Sequence, residues 1–223
     1  DIPTGGINTS YVESAARFIA PMLDNYTVIV NKSTVPIGTA EQVYKVISEG
    51  NENAIFDVAS NPEFLREGSA IDDFMKPDRI IVGVDNERPK KVLEQIYQPL
   101  VNEDVPLVMM DTKSAELTKY GANAFLATKV AFINEMAALC DSTGANVKSV
   151  AKGIGLDKRI GPRFLNPGPG VGGSCFPKDT RALVNIAQDN NTEARIVTSV
   201  IEANRRQMER MVKKIRLACG ERL

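Results

Sequence analysis

Histidine is absent from all 223 residues. Without an imidazole, the Ser–His and Cys–His nucleophile pairs are excluded, and proton transfer falls to lysines and carboxylates. Cysteine is nearly as scarce. Cys140, Cys175 and Cys219 form an odd, widely scattered set, with neither the paired spacing of a zinc site nor a disulfide framework. At least one thiol is therefore free, and no bound metal is expected. No apolar run approaches the roughly 20 residues that span a bilayer, and the first residues lack the basic-then-apolar pattern of a secretory leader. The expectation is a cytoplasmic chain without membrane contact, in which the triplets Asn25-Tyr26-Thr27 and Asn31-Lys32-Ser33 are chance matches to a glycosylation signal.

Neither sign of charge dominates: 27 Lys and Arg face 28 Asp and Glu, a net charge of -1. No lysine/arginine block is long enough for a nucleic-acid footprint, so the expected partner is a small molecule and not a nucleic acid. Hydrophobic residues make up 43% of the chain, enough at this length for one substantial core or two modest ones.

Short β-branched runs recur at Tyr26 to Asn31, Ile55 to Ala59, Arg79 to Val84 and Pro106 to Met110, and read as buried parallel strands. Between them, Ser10 to Leu23, Thr39 to Ser48 and Glu87 to Tyr97 are amphipathic and of helical length. This βαβ alternation predicts an α/β fold with a doubly wound parallel sheet, whose ligands sit beyond the carboxyl ends of the strands. From Thr112 the pattern changes to one long helix through about Thr143, with Asp111 or Thr112 as cap and Gly144 as stop. Shorter helices follow over Val147 to Gly153, Thr180 to Asp189 and Thr192 to Leu217. Residues 112–223 thus read as an all-helical domain after the sheet-bearing residues 1–111. Leu117, Tyr120, Ala124, Leu126, Ala127, Ala131, Phe132 and Met136 give the long helix more apolar surface than one sheet face covers, so a homodimer seam along residues 112–143 is expected.

The most distinctive segment is the glycine-rich run that ends Gly168-Pro169-Gly170-Val171-Gly172-Gly173-Ser174-Cys175-Phe176-Pro177-Lys178-Asp179. Cys175 stands just before a helix start, with Pro177 in the first turn and Lys178 beside it. Helix dipole and lysine charge both favour a thiolate there, which makes Cys175 a candidate nucleophile. Cys140, on the long helix, reads instead as a packing residue. The run Gly168 to Gly173 also satisfies G-x-G-x-x-G, but it contains Pro169 and follows no strand, so it is not read as a dinucleotide fingerprint. On the long helix, Lys119, Asn123 and Asn134 point in nearly the same direction. In a cleft, such donors stabilise an oxyanion, while on an open face they are simply solvated. Glu63, Glu67 and Asp179 are carboxylates available to activate water.

Together, Lys32-Ser33-Thr34-Val35-Pro36, Asn61-Pro62-Glu63-Phe64-Leu65-Arg66-Glu67-Gly68, Pro77-Asp78-Arg79, Lys119 to Asn123, Phe132-Ile133-Asn134-Glu135 and Gly172 to Asp179 resemble the UDP-glucose/GDP-mannose dehydrogenase family, and within it the UDP-glucose 6-dehydrogenases. The resemblance covers nearly the whole chain. It implies NAD as cofactor, a UDP-sugar as substrate and a two-step, four-electron oxidation of UDP-glucose to UDP-glucuronate. It implies that Cys175 attacks the aldehyde to give a thiohemiacetal, whose oxidation gives a thioester that water hydrolyses. On the matching positions, Lys119 and Asn123 hold the charged oxygen, while Asp179, Glu67, Thr34 and an ordered water handle protons and hydrolysis. Ser33, Thr34, Glu67 and Lys178 border the cofactor. Glu63, Phe64, Leu65, Lys119, Asn123, Arg159, Phe164, Asn166 and Gly172 border the substrate, with Arg159 reaching the substrate of the other subunit.

The family opens with a βαβ unit that carries its true dinucleotide fingerprint. The resemblance implies that this sequence begins after that unit, near a proline-threonine motif matched by Ile2-Pro3-Thr4, and stops at Leu223 near the connection to a further nucleotide-binding domain. Residues 1–111 then correspond to the C-terminal part of a Rossmann-like NAD-binding domain and residues 112–223 to a central dimerisation domain. GDP-mannose and UDP-N-acetylhexosamine dehydrogenases share the cysteine loop and the long helix, and only the run Glu63 to Glu67 tilts the reading toward UDP-glucose. A non-catalytic dimerisation core remains a reading from another class. A cysteine acyltransferase without NAD is disfavoured by the missing histidine base.

Overall fold

Each β-branched run of the first half becomes a strand in the computed structural model, which describes residues 7–220. The Ile2-Pro3-Thr4 motif and Leu223 lie outside the described residues. The chain divides into two units, one from Ile7 to Lys119 and one from Tyr120 onward.

In the first unit, β1 (Thr27–Asn31), β2 (Phe56–Ser60), β3 (Ile80–Gly83) and β4 (Leu107–Met110) form one sheet in the order β1-β2-β3-β4. β1 runs parallel to β2, and β3 parallel to β4. The all-parallel expectation fails at the seam, where β2 and β3 are antiparallel and pair at Ser60↔Gly83. The connections differ. β1 and β2 are joined through α2 (Thr39–Gly50), and β3 and β4 through α4 (Glu87–Val101), each long enough to return the chain to the start of its sheet. Between β2 and β3 lies only α3 (Ala70–Met75). The chain leaves β2 at its carboxyl end and enters β3 antiparallel to it, pairing at Ser60↔Gly83. The expectation of buried strands holds for β2 and β3 but not for the edge strands, since β1 is half-buried throughout and Val108 of β4 is exposed.

Side-chain alternation along β2 accounts for the double winding. Phe56 and Val58 pack with Val43 and Ile47 of α2 and with Ala16 of α1 (Ser10–Ile19) and Ala20 in the short 3-10 turn after it. Ala59 faces the other way and joins Ile80, Val82 and Leu93 of α4. Helices therefore cover both faces, and the loops after β1 and β2 emerge at the same end of the sheet.

The long helix α5 spans Thr112–Thr143, the limits its caps predict. Asp111 Oδ1 accepts the Ser114 N–H at 2.8 Å, and Gly144, at φ 78°, returns its N–H to the Cys140 carbonyl at 2.9 Å. The start of α5 crosses β3 at Gly83. A Cβ there would lie 2.6 Å from Ala115 Cβ, 2.8 Å from Thr112 Cα and 2.9 Å from the Asp111 carbonyl. Gly83→Ala is expected to lower the unfolding free energy by about 3 kcal/mol, because the neighbours are largely backbone and cannot rotate away. Urea titration measures this, and a wild-type midpoint would mean that α5 shifts aside freely.

The second unit contains the remainder of α5, then α6 (Val147–Gly155), α7 (Phe176–Asp189) and α8 (Arg195–Cys219). Its core is built on small residues: Ala127 and Ala131 of α5, Val171 of the glycine-rich loop and Val200 of α8. α7 begins four residues earlier than the expected Thr180, because Pro177 suits the first turn of a helix. Cys140 is buried, as a packing residue should be. Tyr120, Ala124, Ala127 and Ala131 are also buried, whereas Leu117, Phe125, Phe132 and Leu139 leave an apolar stripe exposed along α5. Among the described residues, no helix is long and apolar enough to cross a membrane.

Candidate active site

In the first unit, the ends of β1 and β2 and the first turns of α5 enclose a small cavity lined by Asn31, Ser33, Thr34, Val35, Ser60, Pro62, Glu116 and Lys119. Glu116 is 3% exposed. Its carboxylate accepts the N–H groups of Gly38 at 2.6 Å and Ala40 at 3.0 Å, and the Ser60 hydroxyl at 3.1 Å. It therefore caps the start of α2 from across the unit and ties the loop after β1 to the end of β2. Burial pushes its carboxyl pKa upward, against the pull of those three hydrogen bonds.

Lys119, one turn further along α5, is 5% exposed. A buried ammonium needs partners, and Glu63 supplies two: its carbonyl oxygen, in a very short contact, and its Oε1 at 3.2 Å. The ammonium also lies 5.0 Å from the Phe64 ring centre, while the Arg79 guanidinium lies 4.0 Å from it. The loop is itself fixed at both ends. Asn61 accepts from Lys32 Nζ at 2.7 Å and donates to the Ile81 carbonyl at 2.6 Å. Arg66 pairs with Asp73 of α3 at 2.5 Å, which holds that carboxyl well below the usual carboxylate range. Of the residues singled out in the sequence, Lys119, Glu63 and Phe64 thus meet, and Ser33 and Thr34 line the cavity that Lys119 also borders. Leu65 and Glu67 are exposed on the turn beyond.

In the second unit, Cys175 is exposed at the N-terminus of α7. One turn inside, Asp179 is 1% exposed and accepts Asn123 Nδ2 at 2.6 Å and Lys178 Nζ at 2.5 Å. Its own N–H returns to the Cys175 carbonyl at 2.8 Å. Asn123, Asp179 and Cys175 are therefore joined through α7. Lys178 differs from the sequence reading: its ammonium is engaged by Asp179, and the side-chain neighbour of the thiol is the Ser174 hydroxyl at 3.6 Å. Phe164 packs edge-on against Phe176 at 6.2 Å. Arg159 is exposed and pairs with Asp157 at 2.6 Å, and Asn166 and Gly172 are exposed. The glycine-rich run follows α6, not a strand, in keeping with its rejection as a dinucleotide fingerprint.

The polar stripe on α5 is not a solvated face. Lys119, Asn123 and Asn134 are at most 8% exposed, and each holds a different segment: Glu63, Asp179 and the Gly168 N–H, the last at 2.8 Å. Sequence reasoning missed Glu116, Asn204 and Gln207. The available signals were a glutamate three residues before Lys119 and two amides spaced i, i+3 on an otherwise charged helix.

Comparison with known proteins gives concordant matches. The UDP-glucose/GDP-mannose dehydrogenase family model for the NAD binding domain matches residues 3–101, and that for the central domain matches residues 113–206. A UDP-glucose 6-dehydrogenase of Rhizobium meliloti (strain 1021) is 52% identical over 218 residues, 97% of this chain and 50% of its own length. Among solved structures, a UDP-glucose dehydrogenase from the hyperthermophilic archaeon Pyrobaculum islandicum superposes with a TM-score of 0.93 at 40% identity, covering 98% of this chain and 51% of that one. A GDP-mannose dehydrogenase from Pseudomonas aeruginosa gives 0.68 at 30% identity, covering 99% and 51%. The chain spans about half the length of the curated relatives it matches.

Proposed function

Because the chain belongs to the UDP-glucose/GDP-mannose dehydrogenase family, we propose that it carries the chemistry of an NAD-dependent UDP-glucose 6-dehydrogenase. The reading rests chiefly on one arrangement: an exposed Cys175 at a helix N-terminus, one turn from a buried Asp179 held by Asn123. UDP-glucose is preferred to GDP-mannose because identity is higher to the UDP-glucose relatives.

The overall change is oxidation of the sugar CH2OH to a carboxylate, with two NAD reduced and one water consumed. Cys175 adds as thiolate to the carbon of the intermediate aldehyde, forming a C–S bond and an oxyanion. Lys119 and Asn123 serve as fixed donors to that oxygen. Asn123 uses one amide hydrogen on Asp179 and keeps a second for this task. Oxidation of the thiohemiacetal leaves a thioester on Cys175. Water then adds to the thioester carbon, and the C–S bond breaks to release the carboxylate and restore the thiol. Thr34 helps to orient that water, and Asp179 and Glu67 take its protons. Glu63, Phe64, Leu65, Arg159, Phe164, Asn166 and Gly172 border the nucleotide sugar, and Ser33, Thr34, Glu67 and Lys178 border the cofactor.

The donor set of the first unit fits one end of NAD. Its cavity is lined by Asn31, Ser33 and Thr34, and the buried Asn31 Nδ2 has no partner among the described residues. A nicotinamide carboxamide and its ribose edge satisfy groups of this kind. When bound, NAD accepts the hydride removed from carbon 6 in each oxidation.

On this reading, residues 1–111 are the C-terminal part of an NAD-binding domain and residues 112–223 a central domain. Phe125, Phe132 and Leu139, exposed every seventh residue with Leu117 further along, form a homodimer seam on α5. An exposed free thiol suits the reducing cytoplasm, where UDP-glucose and NAD are found. The test is to supply the full-length protein with NAD and UDP-glucose and follow NADH absorbance. Two NADH per UDP-glucose are expected; NADH with GDP-mannose alone would reassign the substrate, and none with any nucleotide sugar would end the proposal.

A further inference from the structure

We infer that Asn204 of α8, with Gln207 one turn beyond it, is a positioning residue that holds the glycine-rich loop in its ligand-binding shape before any nucleotide sugar arrives. The link to the sugar rests on the function proposed above; the clamp itself does not.

The contacts are reciprocal. Asn204 Oδ1 accepts the Val171 N–H at 2.6 Å, and its Nδ2 donates to the Val171 carbonyl at 3.0 Å. Gln207 Nε2 donates to the Gly168 carbonyl at 2.7 Å, and Asn134 Oδ1 of α5 accepts the Gly168 N–H at 2.8 Å. Both backbone polar groups of Gly168 and of Val171 are thus satisfied by side-chain amides, as a neighbouring strand would satisfy them. A primary carboxamide can donate and accept at once in this geometry, and no charged side chain can. The adjacent charges of α8 are engaged elsewhere, since Arg205 and Arg206 pair with Glu202.

Gly170 is shaped to the clamp. It sits at φ 130°, and a Cβ on it would lie 2.8 Å from Asn204 Oδ1. Glycine loops are costly to order, by about 1–2 kcal/mol of backbone entropy per residue. Val171 is anchored by its backbone on Asn204 and by its buried side chain against Ala127, Ala131 and Val200. Only Gly172 to Ser174 separate it from Cys175. The entropy of ordering is therefore met on folding, and a ligand does not have to supply it.

Asn204→Asp separates positioning from simple packing, because it keeps the shape of the side chain. As a carboxylate it accepts the Val171 N–H but sets negative charge against the Val171 carbonyl; protonated, it donates and accepts as the amide does. Calorimetric binding of UDP-glucose to the full-length protein is expected to weaken about tenfold in Asn204→Asp near pH 8, equivalent to about 1.4 kcal/mol, and to recover to within about twofold of wild type only near pH 4, where an aspartate raised by about one unit is protonated. Asn204→Ala weakens it at both pH values, and NAD affinity changes in neither variant. Amide exchange of Gly168 and Val171, corrected for intrinsic rates, follows the same pattern without ligand. Wild-type binding by Asn204→Asp near pH 8, or an equal loss at both pH values, would overturn the inference. If the wild type fails to bind UDP-glucose, the proposed function falls, and unaltered amide exchange in both variants would then dispose of the clamp as well.

Discussion

Replacing Cys175 by serine is expected to reduce steady-state UDP-glucose oxidation by the full-length protein on the order of a thousandfold, with little change in stability. The residue is exposed, and its thiol lies beside the Ser174 hydroxyl at 3.6 Å, so the fold gains little from it. What is lost, on the proposed mechanism, is the nucleophile. A serine hydroxyl is far less ionised than a thiol near neutral pH, and these 223 residues hold no histidine to take its proton. The first oxidation, from alcohol to aldehyde, needs no covalent adduct; the second needs a tetrahedral carbon. With enzyme in molar excess over UDP-glucose, the wild type should therefore give two NADH per sugar and Cys175→Ser at most one. Two NADH per sugar at an unchanged rate from the variant would remove Cys175 from the mechanism and leave α7 with a purely architectural role.

The elements that could be read in the sequence are those set by local signals. The limits of α5 followed from Asp111 and Gly144, one a cap and the other a stop, both acting on the nearest turn. The placing of Cys175 at a helix N-terminus was legible for the same reason: Cys175, Pro177 and Asp179 occupy one helical turn. What was not legible depends on distant partners. The antiparallel seam between β2 and β3 was hidden because the connection holds only α3, a six-residue helix below the length at which apolar periodicity speaks. The polar stripe on α5 was visible, but its burial was not, because its partners lie 56, 56 and 34 residues away. Glu116 and Asn204 were missed for a further reason. Apart from the Ser60 hydroxyl, the groups they bind belong to the backbones of Gly38, Ala40 and Val171, and a backbone N–H leaves no mark on residue type.

Lys119 brings the local and the distant together, and its removal is the other large effect expected. Lys119→Met keeps the length of the side chain and deletes the ammonium. If Lys119 stabilises the oxyanion at the thiohemiacetal, kcat should fall by roughly a hundredfold to a thousandfold, while KM for UDP-glucose changes by less than about threefold, since the charge it meets develops only during reaction. The competing role is structural. Lys119 holds Glu63 by both its carbonyl and its carboxylate, and with Phe64 it shapes the loop after β2. The Glu63 carboxylate is partly exposed, so losing the ion pair should lower stability by no more than about 1 kcal/mol. Steady-state kinetics and urea unfolding on the same variant separate the two roles. A fall in kcat with an almost unchanged unfolding midpoint identifies the donor to the oxyanion. A rise in KM with kcat preserved would mean that Lys119 positions the Glu63 loop for binding, and would leave oxyanion stabilisation to Asn123, whose free amide hydrogen lies one turn further along α5.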